Sequence, residues 1–402
     1  MFMGFKSVIS GSFALIFFYV FAVPVYGATS KPNWCSGVLL RDRTPLIRAQ
    51  LDANIAELRA EAGPDHELKG FWGPGSLMWK IAANPLLPIM GTKTLYLQLA
   101  QPAAAQGVAD HSERLANHFV ERFQSTFNYL WRLIYGGSRE AEGIAKGLFN
   151  RHTKITGMIP VTAGAYQAGE TYSANDPEAA LWVAETFLLA MKESYELGAG
   201  PLSRQELDQL AYEGRRFAML FGVPSERIPH TWMELQQYYD DVTRSGELEF
   251  TPDARKIESH HRSIVLEPGI SQLGRRLAVD YVDALTAEML PRSVADDLGL
   301  NRGLRSKLTF ASTKIALRRL YKLLPEWARK HPMARMAEAR AAGLTPNPRD
   351  EVAYKLMVGQ LPIELRTLLS LSWPDVFSLR ELPVEENHGS SAKPSWSGAS
   401  RR

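Results

Sequence analysis

Cysteine is nearly missing from this chain: one residue, Cys35, in 402. No intrachain disulfide can form. A lone cysteine outside any metal-ligand spacing also removes zinc ribbons, iron–sulfur clusters and thiolate-ligated haem. A dominant sign of charge is missing too. The 46 basic and 43 acidic residues leave a net charge of +3, spread along the chain, so nothing points to nucleic acid. No long stretch alternates apolar and polar residues, which argues against a sheet. No internal repeat is visible.

What is present is a globular composition, 45% hydrophobic and 22% charged, able to bury a sizeable core. The length has room for one large or two moderate domains. Residues 7–28, SVISGSFALIFFYVFAVPVYGA, carry no charge and follow Lys6. Cleavage after Gly27 or Ala28 would make the run a secretory signal, and it is equally long enough to cross a bilayer as an anchor. Either way, the folded body is expected over residues 40–380, at or beyond a membrane. The tail from 383 to 402 is polar and rich in serine and glycine, as disordered segments are.

Helix signals are well punctuated. Asp176-Pro177 sets a capping residue before a proline at the first helical position. Ser203 with Glu206, and Thr231 with Glu234, are capping boxes, and Gly222 and Pro224 stop the helix between them. A looser stretch at 243–271 precedes a second helical region (272–375). Leu277, Tyr281, Leu285 and Leu290, then Leu317, Leu320 and Leu324, keep helical spacing there. This region is expected to pack on the first as one body. The fold class is all-α. Arg302, Arg305, Lys307, Lys314, Arg318, Arg319 and Lys322 form a basic cluster, read as a solvated helix face with contact to anionic lipid as the alternative.

The chemistry-bearing residues flank a glycine turn, Gly136-Gly137. Phe123, Phe127, Leu130 and Ile134 before it, and Ile144, Leu148 and Ile155 after it, have helical spacing. Two helices joined there run antiparallel. Arg122 and His152 each lie about fifteen residues from the turn and should come level. Thr126, four residues beyond Arg122, shares its face. A neutral imidazole opposite a guanidinium and a hydroxyl suits an iron-bearing cofactor between helices; a surface histidine on an ordinary helical hairpin is the plainer reading. His111 is the rival iron ligand, with a capping or substrate-pocket role for Asp110 and His111 as the alternative. His118 reads as exposed. The adjacent pair His260-His261 would diverge by about 100° on a helix, which makes a poor shared metal site, and reads as surface. His66, His230, His331 and His388 have no supporting context. Tyr166 and Tyr172 bracket an Ala/Gly-rich segment and read as buried core tyrosines. Trp72, Trp79 and Trp182 read as packing residues, with a role lining an apolar pocket as the alternative.

Longer runs of text carry a resemblance: GPGSLMWKIAANP (73–85), LQLAQPAAAQGVADHS (97–112), ERFQSTFNYLWRLIYGG (121–137), AKGLFNRHTKITG (145–157), DPEAALWVAETFLLA (176–190) and GPLSRQELDQLAYEGRRFAMLFGVPSERIPHTW (200–232). In unbroken order over about residues 70 to 256, the chain resembles the family joining bacterial rubber oxygenases (latex-clearing proteins) with the fungal endoplasmic-reticulum oxygenase of mycophenolic acid biosynthesis. The resemblance implies one all-helical, bundle-like catalytic domain with a haem b pocket between helices. It implies dioxygen-dependent cleavage of carbon–carbon double bonds in a hydrophobic, isoprenoid-like substrate. It puts the proximal iron ligand on His152 and the distal arginine and threonine on Arg122 and Thr126. Two departures stand out. Rubber oxygenases carry a lysine before the distal threonine that can cap the iron, and this chain has Ser125, too short to do so. Many relatives read His-Pro where this chain has Gln101-Pro102. No glutamate matching a general base is identified. A haem-binding peroxidase-like or sensor protein, and a non-catalytic membrane-associated helical protein, are the alternatives.

Overall fold

The computed structural model describes residues 43–111, 119–264 and 272–358. The apolar run 7–28, Cys35, His118, His388 and the tail from 383 lie outside the described residues. Helices dominate. The first group is α1 (Arg48–Ala62), α2 (His66–Lys69), α3 (Leu77–Ala82), α4 (Gly91–Leu99) and α5 (Pro102–His111). Next come α6 (Phe119–Tyr135) and α7 (Ser138–His152), then α8 (Pro177–Gly198), α9 (Arg204–Leu220), α10 (Trp232–Arg244) and α11 (Pro252–Ile264). The last group is α12 (Gln272–Met289), α13 (Arg292–Asp297), α14 (Leu304–Leu323), α15 (Pro332–Ala341) and α16 (Pro348–Met357). The all-α expectation holds.

The caps appear where the sequence puts them. Asp176 accepts from the backbone N–H groups of Glu178 and Ala179. The boxes Ser203/Glu206 and Thr231/Glu234 are both closed. Gly222 follows α9 with φ +93°, a conformation that favours glycine and ends the helix. One small sheet interrupts the helices: β1 (Thr156–Met158) pairs antiparallel with β2 (Thr171–Ser173), Gly157 opposite Tyr172. Three-residue strands are too short to show alternation, so the sequence gives no sign of them.

α8 runs through the middle, packing on α3, α4, α9 and α14. Most of its residues are buried, as expected of a helix enclosed on nearly every side. Gly214 of α9 lets Leu188 of α8 approach: a Cβ at Gly214 would lie 2.4 Å from Leu188 Cδ2. One apolar core is continuous from Leu51 to Val358.

Three expectations about the later region need correction. The stretch taken as loose contains α11, whose Ala254, Ile257 and His261 are buried. In α12 and α14 the helical spacing is right but does not by itself give the buried face: Leu290 is buried and Leu317 packs on the core, while Leu277, Tyr281 and Leu320 are exposed. Periodicity fixes the angle between residues and not which side meets the body. His261 is not a surface residue either: it is buried, with Nδ1 3.1 Å from the Tyr96 hydroxyl.

Candidate functional site

α6 and α7 form the antiparallel hairpin that the glycine turn implies. Backbone meets backbone at the turn. A Cβ on Gly137 would sit 2.2 Å from the Glu67 carbonyl oxygen, and one on Gly70 would sit 2.3 Å from that of Gly136. Arg132 Nε donates to Glu140 Oε1 across the turn at 2.7 Å. The far ends of the two helices carry Arg122 and His152.

Those ends open on a cavity of about 330 Å³. Leu95, Leu99, Val108, Phe127, Leu130 and Leu133 line one part of it, and Val183, Phe187, Phe217 and Phe221 another. Arg122, Thr126 and His152 all line this space. Among the described residues, the lining includes no Asp or Glu. Two of the hydroxyls there serve their own helices: Thr94 donates to the Met90 carbonyl (2.9 Å) and Thr126 to the Arg122 carbonyl (3.0 Å). Gln98 donates to Thr186 Oγ1 at 3.1 Å. A wall made largely of aliphatic and aromatic side chains offers a guest mainly apolar contact.

His152 is the last residue of α7, half-buried at the cavity wall. Burial, reinforced by the like charge of Arg151, pushes its pKa down to about 4. The ring is therefore neutral at physiological pH, and one nitrogen keeps a lone pair, the state in which imidazole binds a metal. Arg122 is exposed where it lines the cavity, yet burial and Arg151 lower its pKa from the ordinary value; a guanidinium remains a cation all the same. Thr126 as placed gives its proton to the helix, so its lone pairs, not its O–H, are what it offers the cavity.

His111 and Ser125 are not brought to this wall. His111 is exposed, its Nε2 3.2 Å from the Thr156 carbonyl oxygen beside β1. Ser125 is exposed and outside the lining. Asp110 instead accepts from the Tyr172 hydroxyl (2.7 Å) and from Gln106 (2.8 Å), tying α5 to β2. Tyr172 and Tyr166 are buried in a satellite cluster with Ala103 and Ile159. Trp72, Trp79 and Trp182 are buried as packing residues.

Several features have no sequence signal. Arg43 stacks on Tyr166 at 3.7 Å and pairs with Glu170 at 2.7 Å, clasping the lead-in strand of chain to the β1–β2 connection. His331 is buried, stacked on Trp131 at 3.7 Å, with Nδ1 capping α15. A second cavity of about 290 Å³ lies on the opposite side of α8, lined by Arg43, Tyr166, Glu178, Trp182, Tyr238 and Glu247 among others. Burial pushes Glu178 up to about 7 despite its ion pair with Arg227. Further along α8, Glu185 is 3% exposed, its Oε2 has no partner, and burial pushes its pKa up to about 8.

Among the described residues no group of three or more His, Cys, Asp or Glu could hold a metal ion. The donor set at the first cavity, one neutral imidazole over an apolar space with a cation nearby, suits a group that brings its own metal and needs a single protein ligand. The family described as ER-bound oxygenase mpaB/B′/rubber oxygenase, catalytic domain, matches residues 79–324. No curated protein and no solved structure matches the chain. The matched span runs from α3 through α14 and contains Arg122, Thr126 and His152 together with most of the cavity wall. Since it covers more than half of the 402 residues, the chain belongs to the oxygenase family of mpaB and the rubber oxygenases, and carries its catalytic domain.

Proposed function

We propose that this chain is a haem b-dependent oxygenase, an oxidoreductase that uses dioxygen to cleave a carbon–carbon double bond in a hydrophobic, isoprenoid-like substrate. One observation carries the reading: Arg122, Thr126 and a neutral His152 meet at a single apolar cavity inside an oxygenase-family catalytic domain. His152 would hold the iron through a ring nitrogen. When bound, haem b supplies the redox chemistry with dioxygen. The chain's own residues do the rest. Leu, Val and Phe side chains from α4, α6, α8 and α9 exclude water and receive the alkene. Arg122 presents N–H donors and fixed positive charge where negative charge develops on oxygen. Thr126 offers lone pairs to a donor on the guest, and would have to release the Arg122 carbonyl to donate in turn. Ser125, with one side-chain carbon, brings no amine to the iron. Residues 7–28, as signal or anchor, place this body at or beyond a membrane.

The absorption spectrum of purified protein is the test. Wild type and His111→Ala should show a haem band, and His152→Ala should lose it or retain haem weakly. Turnover of an alkene should need dioxygen and not peroxide. A normal haem spectrum in His152→Ala, with loss in His111→Ala, overturns the ligand assignment.

A further inference from the structure

α14 is fastened to the body at three points. Ser306 donates to Glu288 of α12 at 2.6 Å, Thr313 meets the Tyr281 hydroxyl at 2.7 Å, and Arg318 donates to the Glu196 carbonyl of α8 at 2.9 Å. The outward side is apolar along its centre. Leu304, Leu308 and Ile315 are 74%, 60% and 55% exposed, and at 100° per residue they fall within about 40° of one another. Cations border that stripe on both sides, and exposed Lys322 closes its far end, in line with Leu304. Lys307 and Lys314 lie about 60–80° to one side, and Arg305 and Arg319 about 60–100° to the other. All four are exposed, and residues 304–323 contain no Asp or Glu. Arg305 pairs with Asp280 at 3.2 Å; Lys307, Lys314 and Arg319 have no acidic partner among the described residues. Clustered leucine and isoleucine exposed in water cost free energy that isolated surface residues do not.

We propose that this face of α14 docks on an anionic lipid bilayer. An apolar stripe with a cationic margin on each side is the pattern of a helix lying in a membrane interface, leucines among the acyl chains and cations at the headgroups. Charge decides against the other occupants. A second copy meeting this face symmetrically would bring the same cations against themselves. Residues 359–402, outside the described structure, hold five acidic and five basic residues, and residues 1–42 hold one acidic and three basic. Neither segment complements the face.

The test uses the full chain with Cys35→Ser and Ile315→Cys, the new thiol carrying an environment-sensitive fluorophore. The label reports α14 itself, so insertion of residues 7–28 alone leaves it unchanged. Its emission should move to the blue on phosphatidylcholine vesicles containing phosphatidylglycerol, stay put on phosphatidylcholine alone, and return at high salt. In the same labelled chain, Lys307→Gln/Lys314→Gln/Arg319→Gln should raise the anionic lipid needed for half the shift about a hundredfold, at about fivefold per cation. No shift on either vesicle overturns the proposal, and an equal shift on both overturns the electrostatic recognition. Blue emission in vesicle-free buffer also overturns it: a second copy covers the face if the emission depends on protein concentration, the chain's own segment if it does not.

Discussion

His152 ends its helix, and two effects compete there. A helix C-terminus favours the protonated imidazole, by at most about 2 kcal/mol. The pKa nevertheless falls to about 4, so burial and the Arg151 charge win, and the nitrogen stays available to a metal at neutral pH. Arg122 owes nothing to such a balance, because a guanidinium stays charged. Arg122→Ala should keep its cofactor and lose about a hundredfold in turnover, as when one preorganised donor is removed. Arg122→Lys should recover part, since a point charge cannot reproduce the planar fork. Steady-state rates beside a haem spectrum measure both, and full turnover in Arg122→Ala would leave the residue a structural role. Glu185 gives a pH signature of opposite sign to His152. Its carboxyl stays neutral in the fold up to about pH 8, whereas an unfolded glutamate ionises near 4.5. Between those values the unfolded chain binds fewer protons, so this residue's contribution is present below pH 4.5 and lost as pH rises toward 8. Tm curves of wild type and Glu185→Gln should therefore diverge over that window, the variant gaining as pH rises. Parallel curves would mean the carboxyl has a partner that keeps it ionised. The sequence made Arg122, Thr126 and His152 legible through their distance from a glycine turn. It could not show Glu185, because a glutamate on a helix reads as solvated until its neighbours are known.

At the scale of elements, the legible features were those written in adjacent residues: caps, capping boxes, the turn and the helical spacing itself. The illegible ones depended on what each helix meets. Leu277, Tyr281 and Leu320 keep helical spacing and still face outward, while His331 looks isolated in sequence and is stacked on Trp131 in space. The α8–α9 contact provides a test. Gly→Ala inside a helix ordinarily gains up to about 1 kcal/mol in propensity. At Gly214 the new methyl would meet the Leu188 side chain at 2.4 to 3.1 Å, and Leu188 is buried with little room to turn. Overpacking of this kind costs about 1–3 kcal/mol, so Gly214→Ala should be net destabilising, read as a lower denaturant midpoint at unchanged slope. A stabilised variant would show that α9 can move away from α8 freely.

For the whole molecule, the hairpin of α6 and α7 behaves as a pair of tongs. Its hinge is the Gly136–Gly137 turn, pinned where the backbone of Glu67 comes too close for any side chain. Its tips are Arg122 and His152, about fifteen residues away, or roughly 22 Å along each arm. Lever arithmetic follows. A change of about 5° between the arms, well inside the scatter of helix crossing angles, moves one tip by roughly 2 Å against the other over arms of that length. The spacing of Arg122 and His152 is thus sensitive to the far end of two helices, to a contact between glycine and a carbonyl that lines no part of the cavity.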